Sequence, residues 1–239
     1  HEDCNYLQNI TPDHEPKATE HIDEMIEMIK DLINMGFAYE SSGNILFEVE
    51  KYDGYGSLSR RSLNDLMSGV RIDIAEYKKN PADFILWKPS TDNQPGWESP
   101  WGRGRPGWHI ECSAMSKKYL GPHFDIHGGG LDLVFPHHEN EIAQSCCANK
   151  TKLMANYWMH NGYVNIDNKK MSKSKNNFIN ISDILKDFHG EIIRYLLLQT
   201  HYRAPLNFKY QYLDKARSSL SGLYRAVEGF KVEGHQDNE

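Results

Sequence analysis

The chain has 239 residues, 39% hydrophobic and 25% charged, a balance that supports a packed core and excludes a disordered or fibrous protein. A net charge of -6 excludes a surface that is basic throughout and confines any nucleic-acid contact to local patches. No apolar run of about 18 residues spans a bilayer, no basic-then-apolar leader opens the sequence, and four cysteines, two of them adjacent at Cys146 and Cys147, do not form a secreted framework. A cytoplasmic protein with reduced or metal-bound thiols is expected, with no membrane partner.

Between Thr19 and Gly36, the residues Ile22, Met25, Ile26, Ile29, Leu32 and Ile33 fall at helical spacing, which predicts an amphipathic helix closed by glycine. Alternation in Ile45-Leu46-Phe47-Glu48-Val49 and a run over Asp83–Lys88 predict strands of an inserted β-containing subdomain, with a helical turn over Leu63–Met67 between them. The proline- and glycine-rich stretch from Pro89 to Pro106 predicts a loop. Next come a helix over Trp108–Leu120, a short strand His123–His127, a turn at Gly128-Gly129-Gly130 and a helix opening at Pro136, the pattern of an α/β unit on a parallel sheet. Strand character returns over Tyr157–Ile166. Helices are expected at Ile184–Phe188, Glu191–Thr200 and Tyr212–Phe230.

Three groups of residues carry candidate chemistry. His137 and Glu141 stand four apart on one face of the helix that Pro136 opens, and Cys112 on the preceding helix adds a thiol; thiolate, imidazole and carboxylate together suit tetrahedral zinc, with a fourth position to fill. The same residues also fit a solvated pair beside a small buried cysteine. Asp125-Ile126-His127-Gly128-Gly129-Gly130-Leu131-Asp132 runs a strand into glycines and an acid, which suits close approach of a nucleotide with its ribose at the carboxylate, or simply a tight turn. Lys169-Lys170-Met171-Ser172-Lys173-Ser174-Lys175 puts four lysines in seven residues of an acidic chain. Such a loop can hold a triphosphate and offset charge on leaving pyrophosphate, or be a solvated basic turn.

Lys170-Met171-Ser172-Lys173-Ser174 matches the KMSKS loop of class I aminoacyl-tRNA synthetases. Gly104–Met115 (GRPGWHIECSAM) and Phe124–Ser145 (FDIHGGGLDLVFPHHENEIAQS) resemble stretches typical of cysteinyl-tRNA synthetases, in the right order before it, as do the helix near Ile22, Ser57–Leu63 and His201–Phe208. The resemblance implies an α/β fold: the second half of a Rossmann-like nucleotide-binding domain with a small β-containing connective insertion and a following helical region. It divides the chain into a helical segment of the catalytic domain (1–42), the insertion (43–105), the second Rossmann-like half (106–166), the KMSKS and stem-contact region (167–206) and the start of a tRNA-binding bundle (207–239). It makes Cys112, His137 and Glu141 ligands of Zn2+, places Trp108 and His127 in the pocket for L-cysteine, and assigns Lys170 and Lys173 to catalysis. ATP, with Mg2+, falls to Lys173, Ser172, Gly129 and Asp132, and tRNA(Cys) becomes the partner. Zinc has a chemical reason to be there: ordinary packing separates near-isosteres such as cysteine and serine by only about 1–3 kcal/mol, whereas zinc favours a soft thiolate.

The family's His-Ile-Gly-His motif is absent, as is its N-terminal cysteine ligand, since Cys4 stands in another context. The expectation is a chain that continues at both ends in the whole enzyme and is inactive, or nearly so, alone. Cys146 and Cys147 are assigned to packing, and Arg60 and Arg61 to tRNA contact. Two rival readings remain: a cysteine ligase of the mycothiol-biosynthesis type, against which the helical pattern after Leu206 stands, and a non-catalytic zinc module, against which the KMSKS string stands.

Overall fold

A computed structural model describes residues 1–61, 75–172 and 176–229. The predicted turn at Leu63–Met67, the catalytic assignment of Lys173 and the helix end at Phe230 lie outside these. In chain order the helices are α1 (Glu2–Tyr6), α2 (Ile22–Asn34), α3 (Trp108–Leu120), α4 (Glu139–Asn149), α5 (Ile181–Ile184), α6 (Gly190–Leu198) and α7 (Tyr210–Val227). The strands are β1 (Ala38–Ser41), β2 (Asn44–Phe47), β3 (Phe84–Pro89), β4 (Gly104–Pro106), β5 (Phe124–Gly130), β6 (Ala155–Asn161), β7 (Val164–Ile166), β8 (Lys169–Lys170) and β9 (Leu206–Phe208). They form two compact units, one of residues 12–160 and one of residues 1–11 with 161–239.

In the first unit the predicted stripe of α2 is the core: Ile22, Met25, Ile26, Ile29 and Leu32 are buried, joined by Met28, each burial worth roughly 1.5–3 kcal/mol. The helix ends because Gly36 takes a left-handed φ of 80°, which lets Phe37 N–H reach Leu32 C=O and Gly36 N–H reach Ile33 C=O, a Schellman stop. Helices α2, α3 and α4 pack together. An antiparallel sheet in the order β1-β2-β3-β4 lies against them through Phe47, Phe84, Leu86 and Trp87.

Several boundaries differ from the sequence reading. The stretch from Pro89 to Pro106 is not all loop, because its last three residues pair with Trp87–Pro89 as β4 and Trp97 bridges to Gly104. Strand β5 runs through Gly128, Gly129 and Gly130 instead of turning there; a Cβ on Gly128 would come within 3.2 Å of the Met159 carbonyl, so this glycine admits the neighbouring β6 backbone. The helix expected from Pro136 is regular only from Glu139, since Phe135 is extended (φ -140°, ψ 133°) and one irregular turn intervenes.

In the second unit β7 pairs antiparallel with β8 and parallel with β9. The Tyr157–Ile166 region is two strands, β6 and β7, broken at Gly162. Its Cβ would meet the Ala204 carbonyl at 2.4 Å. Helix α5 lies earlier than Ile184–Phe188: the Asn180 carbonyl accepts from Asp183 N–H and Ile184 N–H, which starts the helix at Ile181, and the chain goes on past Leu185 only as a turn. Helices α6 and α7 bury Ile193, Leu196, Leu213 and Ala216 with Leu7, Ile184 and Phe208. No helix among the described residues is long and apolar enough to cross a membrane.

Candidate functional site

Helix α3, with Cys112, helix α4, with Glu141, and the irregular turn before α4, with His137, bring the candidate ligands together. Gly107 begins α3 in extended backbone and its missing side chain makes room for the Ile85 carbonyl, 2.1 Å from where a Cβ would lie. That contact seats the helix start against β3 and fixes where Trp108, His109 and Cys112 project. Ser113 Oγ donates to Gln144 Oε1 at 2.7 Å, tying α3 to α4 one residue from Cys112. One ligand atom each from Cys112, His137 and Glu141 lies within 4.8 Å of the others, and the same holds for His127, His138 and Glu141.

Glu141 is the centre of the cluster, with 0% exposure. His137 Nε2 lies 2.9 Å from its Oε1, His127 Nε2 3.3 Å from its Oε2, and His138 Nε2 4.0 Å from Oε1. Neither oxygen accepts a hydrogen bond of proper geometry. Burial pushes this carboxyl up, but the nearby His127 and His137 nitrogens outweigh it and hold it down at about 2. An anion so deeply placed is costly without a cation or donors to compensate it. Burial, with the charges of Glu141 and Glu111, pushes the Cys112 thiol up to about 12. Burial also lowers His109 and His138 to about 4, so both rings are neutral at neutral pH.

The remaining sequence candidates are placed as follows. Trp108, 59% exposed, lays its ring 4.2 Å from that of His137. His127 packs against both His138 and Trp158, each at 4.7 Å, and those two rings also touch. Gly129 leaves the space His138 fills: a Cβ there would meet the ring at 2.9 Å. Asp132 is exposed in the turn after β5. In the other unit Lys170 Nζ lies 4.0 Å above the Tyr163 ring. Ser172 N–H donates to Asn177 Oδ1, and the Asn177 amide returns to Lys170 C=O. Cys146 and Cys147 are buried in apolar clusters. Exposed Arg60 has a left-handed φ of 54°, and the Arg61 guanidinium stands 6.0 Å from the Phe135 ring centroid.

The sequence reading passed over His109, His138, Trp158 and His160. Nδ1 of His109 is 2.7 Å from Nδ1 of His137, and Nδ1 of His138 is 2.8 Å from Nε2 of His160. The signal was available in part: Trp158 and His160 are two apart in a strand, hence on one face, where their rings stack.

The family model described as tRNA synthetases class I (C) catalytic domain matches residues 1–218. The chain belongs to this family. Class I (C) relatives named Cysteine--tRNA ligase include that of Rhodospirillum rubrum, 56% identical over 95% of this chain and 50% of its own length. Those of Maricaulis maris and Fusobacterium nucleatum are 58% and 57% identical over 89% and 90% of the chain. The chain spans about half the length of these curated relatives. Among solved structures, Mycobacterium tuberculosis methionyl-tRNA synthetase in complex with methionyl-adenylate aligns over 98% of this chain and 60% of its own, with a TM-score of 0.66 at 15% identity. A putative arginyl-tRNA synthetase from Campylobacter jejuni aligns over 99% and 48%, with a TM-score of 0.52 at 14% identity. These likenesses show the fold, the Rossmann-like α/β class of the class I synthetase catalytic domain.

Proposed function

We propose that this chain is the part of a cysteine--tRNA ligase that holds zinc and selects cysteine. One observation carries the reading: in a chain of the class I (C) family, a thiol, an imidazole and a fully buried carboxylate with two unbonded oxygens converge beside Trp108 and His127. Cys112, His137 and Glu141 fit zinc in type and proximity. Nε2 of His137 and Oε1 of Glu141 stand 2.9 Å apart, close enough to share one ion. When bound, zinc supplies a centre that prefers a substrate thiolate to an alcohol.

The chain's own residues do the rest. Cys112 gives up its proton when a metal binds, so loading releases acid. Trp108 and His127 wall the cysteine pocket and turn the substrate carboxylate toward ATP. Lys170 and Lys173, with Mg2+, neutralise the triphosphate and Ser172 donates a hydrogen bond to it, while the carboxylate attacks the α-phosphorus and pyrophosphate leaves; Gly129 and Asp132 are assigned to the adenosine side. The cysteinyl group of the adenylate then passes to tRNA(Cys), whose binding helices begin with residues 207–239. The cytoplasm is the setting assigned to this reaction.

Cysteine-dependent ATP-pyrophosphate exchange tests the reading in a protein carrying this chain at the relatives' full length. Exchange with cysteine but not serine, abolished by Lys173→Ala, is expected. Exchange without transfer of labelled cysteine to tRNA would favour the amino-sugar ligase, and no exchange would leave a zinc-binding, non-catalytic domain.

A further inference from the structure

Behind the candidate ligand His137 stands a second imidazole. The 2.7 Å between Nδ1 of His109 and Nδ1 of His137 is a hydrogen-bond distance, and two such nitrogens can bond only when one carries a proton and the other a lone pair. The far nitrogen of His137, Nε2, faces the Glu141 carboxylate at 2.9 Å. A ring nitrogen that ligates a cation does so through its lone pair, which leaves the ring's one proton on the other nitrogen.

Resting on the zinc reading above, we infer that His109 is a positioning residue: its Nδ1 lone pair accepts the Nδ1–H of His137 and holds that ring in the tautomer whose Nε2 lone pair faces the metal. His109 then carries its own proton on Nε2. Ligating histidines ordinarily give this hydrogen bond to a carboxylate, a backbone carbonyl or water; here another imidazole takes that place. The placement follows from the helix. His109 and Cys112 are three apart on α3, so one helical face delivers both the thiol and the group that orients the imidazole. Neighbouring rings fix the plane of His109: Phe84 meets it edge-on at 5.7 Å and Trp108 stacks at 6.0 Å.

A packing role would ask only for a ring of this size, whereas the inferred role asks for an acceptor at the Nδ1 position. Two variants separate them. His109→Asn keeps an acceptor, its Oδ1, where Nδ1 stood; His109→Phe fills the space and has none. The probe is Co2+, titrated into a protein carrying this chain at the relatives' full length and followed by its d–d bands and by the sulfur-to-cobalt band. The parent and His109→Asn are expected to bind within about threefold of each other, and His109→Phe roughly 10–100-fold more weakly. Binding by His109→Phe equal to the parent's, or loss in His109→Asn equal to that in His109→Phe, would overturn the inference and leave the zinc reading standing. No sulfur-to-cobalt band in the parent would remove both. Should His109→Phe fail to fold, imidazole 15N shifts of the zinc-loaded parent decide: protonation at Nδ1 of His137 and Nε2 of His109 is expected, and the reverse pairing overturns it.

Discussion

Nε2 of His137 stands 2.9 Å from Oε1 of Glu141, four residues along the chain, with no hydrogen bond between them. The pair is drawn together by backbone geometry, and on the zinc reading the ion is what satisfies both. Zinc should therefore stabilise the fold: at a free concentration about 100 times its dissociation constant, a ligand that binds only the native state adds about 2.7 kcal/mol. Urea unfolding with zinc, compared with unfolding in a chelator, should show a shift of this size in the parent. Glu141→Gln and Cys112→Ser should show little or none, and an undiminished shift in both would place the metal elsewhere.

Glu139, two residues before Glu141 and equally buried, does different work. Its Oε1 accepts from Gly56 N–H at 2.9 Å and Leu58 N–H at 3.4 Å, and its Oε2 from Ser59 N–H at 2.8 Å, while Asn140 Oδ1 accepts from the Tyr55 hydroxyl. One carboxylate thus holds a whole turn against the start of α4. Charge-assisted bonds contribute about 1.5–3 kcal/mol each, and orphaning buried donors adds a penalty. Glu139→Ala should lower unfolding stability by about 3 kcal/mol or more, and Glu139→Gln, with one acceptor atom left, by less. Equal midpoints for parent and Glu139→Ala would show that the turn finds other partners.

Two glycines in the second unit should respond in opposite directions to the same change. A Cβ on Gly190, the first residue of α6, would lie 1.9 Å from the Tyr6 carbonyl. The chain there is further pinned by Arg194, which donates to Leu7 C=O at 3.0 Å and Asn9 Oδ1 at 2.8 Å. Gly190→Ala must push residues 1–11 off the helix and should cost about 1–3 kcal/mol. Gly222, inside α7, has nothing within 4 Å of that position, so Gly222→Ala should gain about 0.4–1 kcal/mol. Thermal unfolding of the two variants reads both signs.

The helices were legible wherever one apolar face decides the element. The spacing of Ile22, Met25, Ile26, Ile29 and Leu32 is a burial pattern, and burial is what forms α2. Cys112, His137 and Glu141 could be put forward from the family resemblance and the four-residue spacing of two of them, and the fold brings one ligand atom of each within 4.8 Å of the others. What the sequence did not display depends on neighbours distant along the chain. The glycines of β5 read as a turn, since nothing local shows that β6 and His138 occupy the space their side chains would fill. Likewise the Pro89–Pro106 stretch looks like pure loop until Trp87 supplies a pairing partner for Pro106. His109 was invisible as a site residue because its role comes from one nitrogen of a ring 28 positions away.

Gly129 offers a last test, because sequence pattern and packing give it different reasons to be glycine. The pattern makes room for a nucleotide; in the fold, a Cβ would meet His138 Cε1 at 2.9 Å, Leu133 Cδ1 at 3.0 Å and His138 Nε2 at 3.1 Å. His138 is buried and held by His160 through its Nδ1, so it cannot retreat without losing that bond. Gly129→Ala should cost about 1–3 kcal/mol through overpacking. If the clash with His138 is the cause, His138→Ala should remove most of that cost, and a double-mutant cycle in urea should give a coupling of at least about 1 kcal/mol between the two positions. Additive effects would instead assign the cost to the strand backbone, and nucleotide affinity of the stable double variant would then read the other role of Gly129 separately.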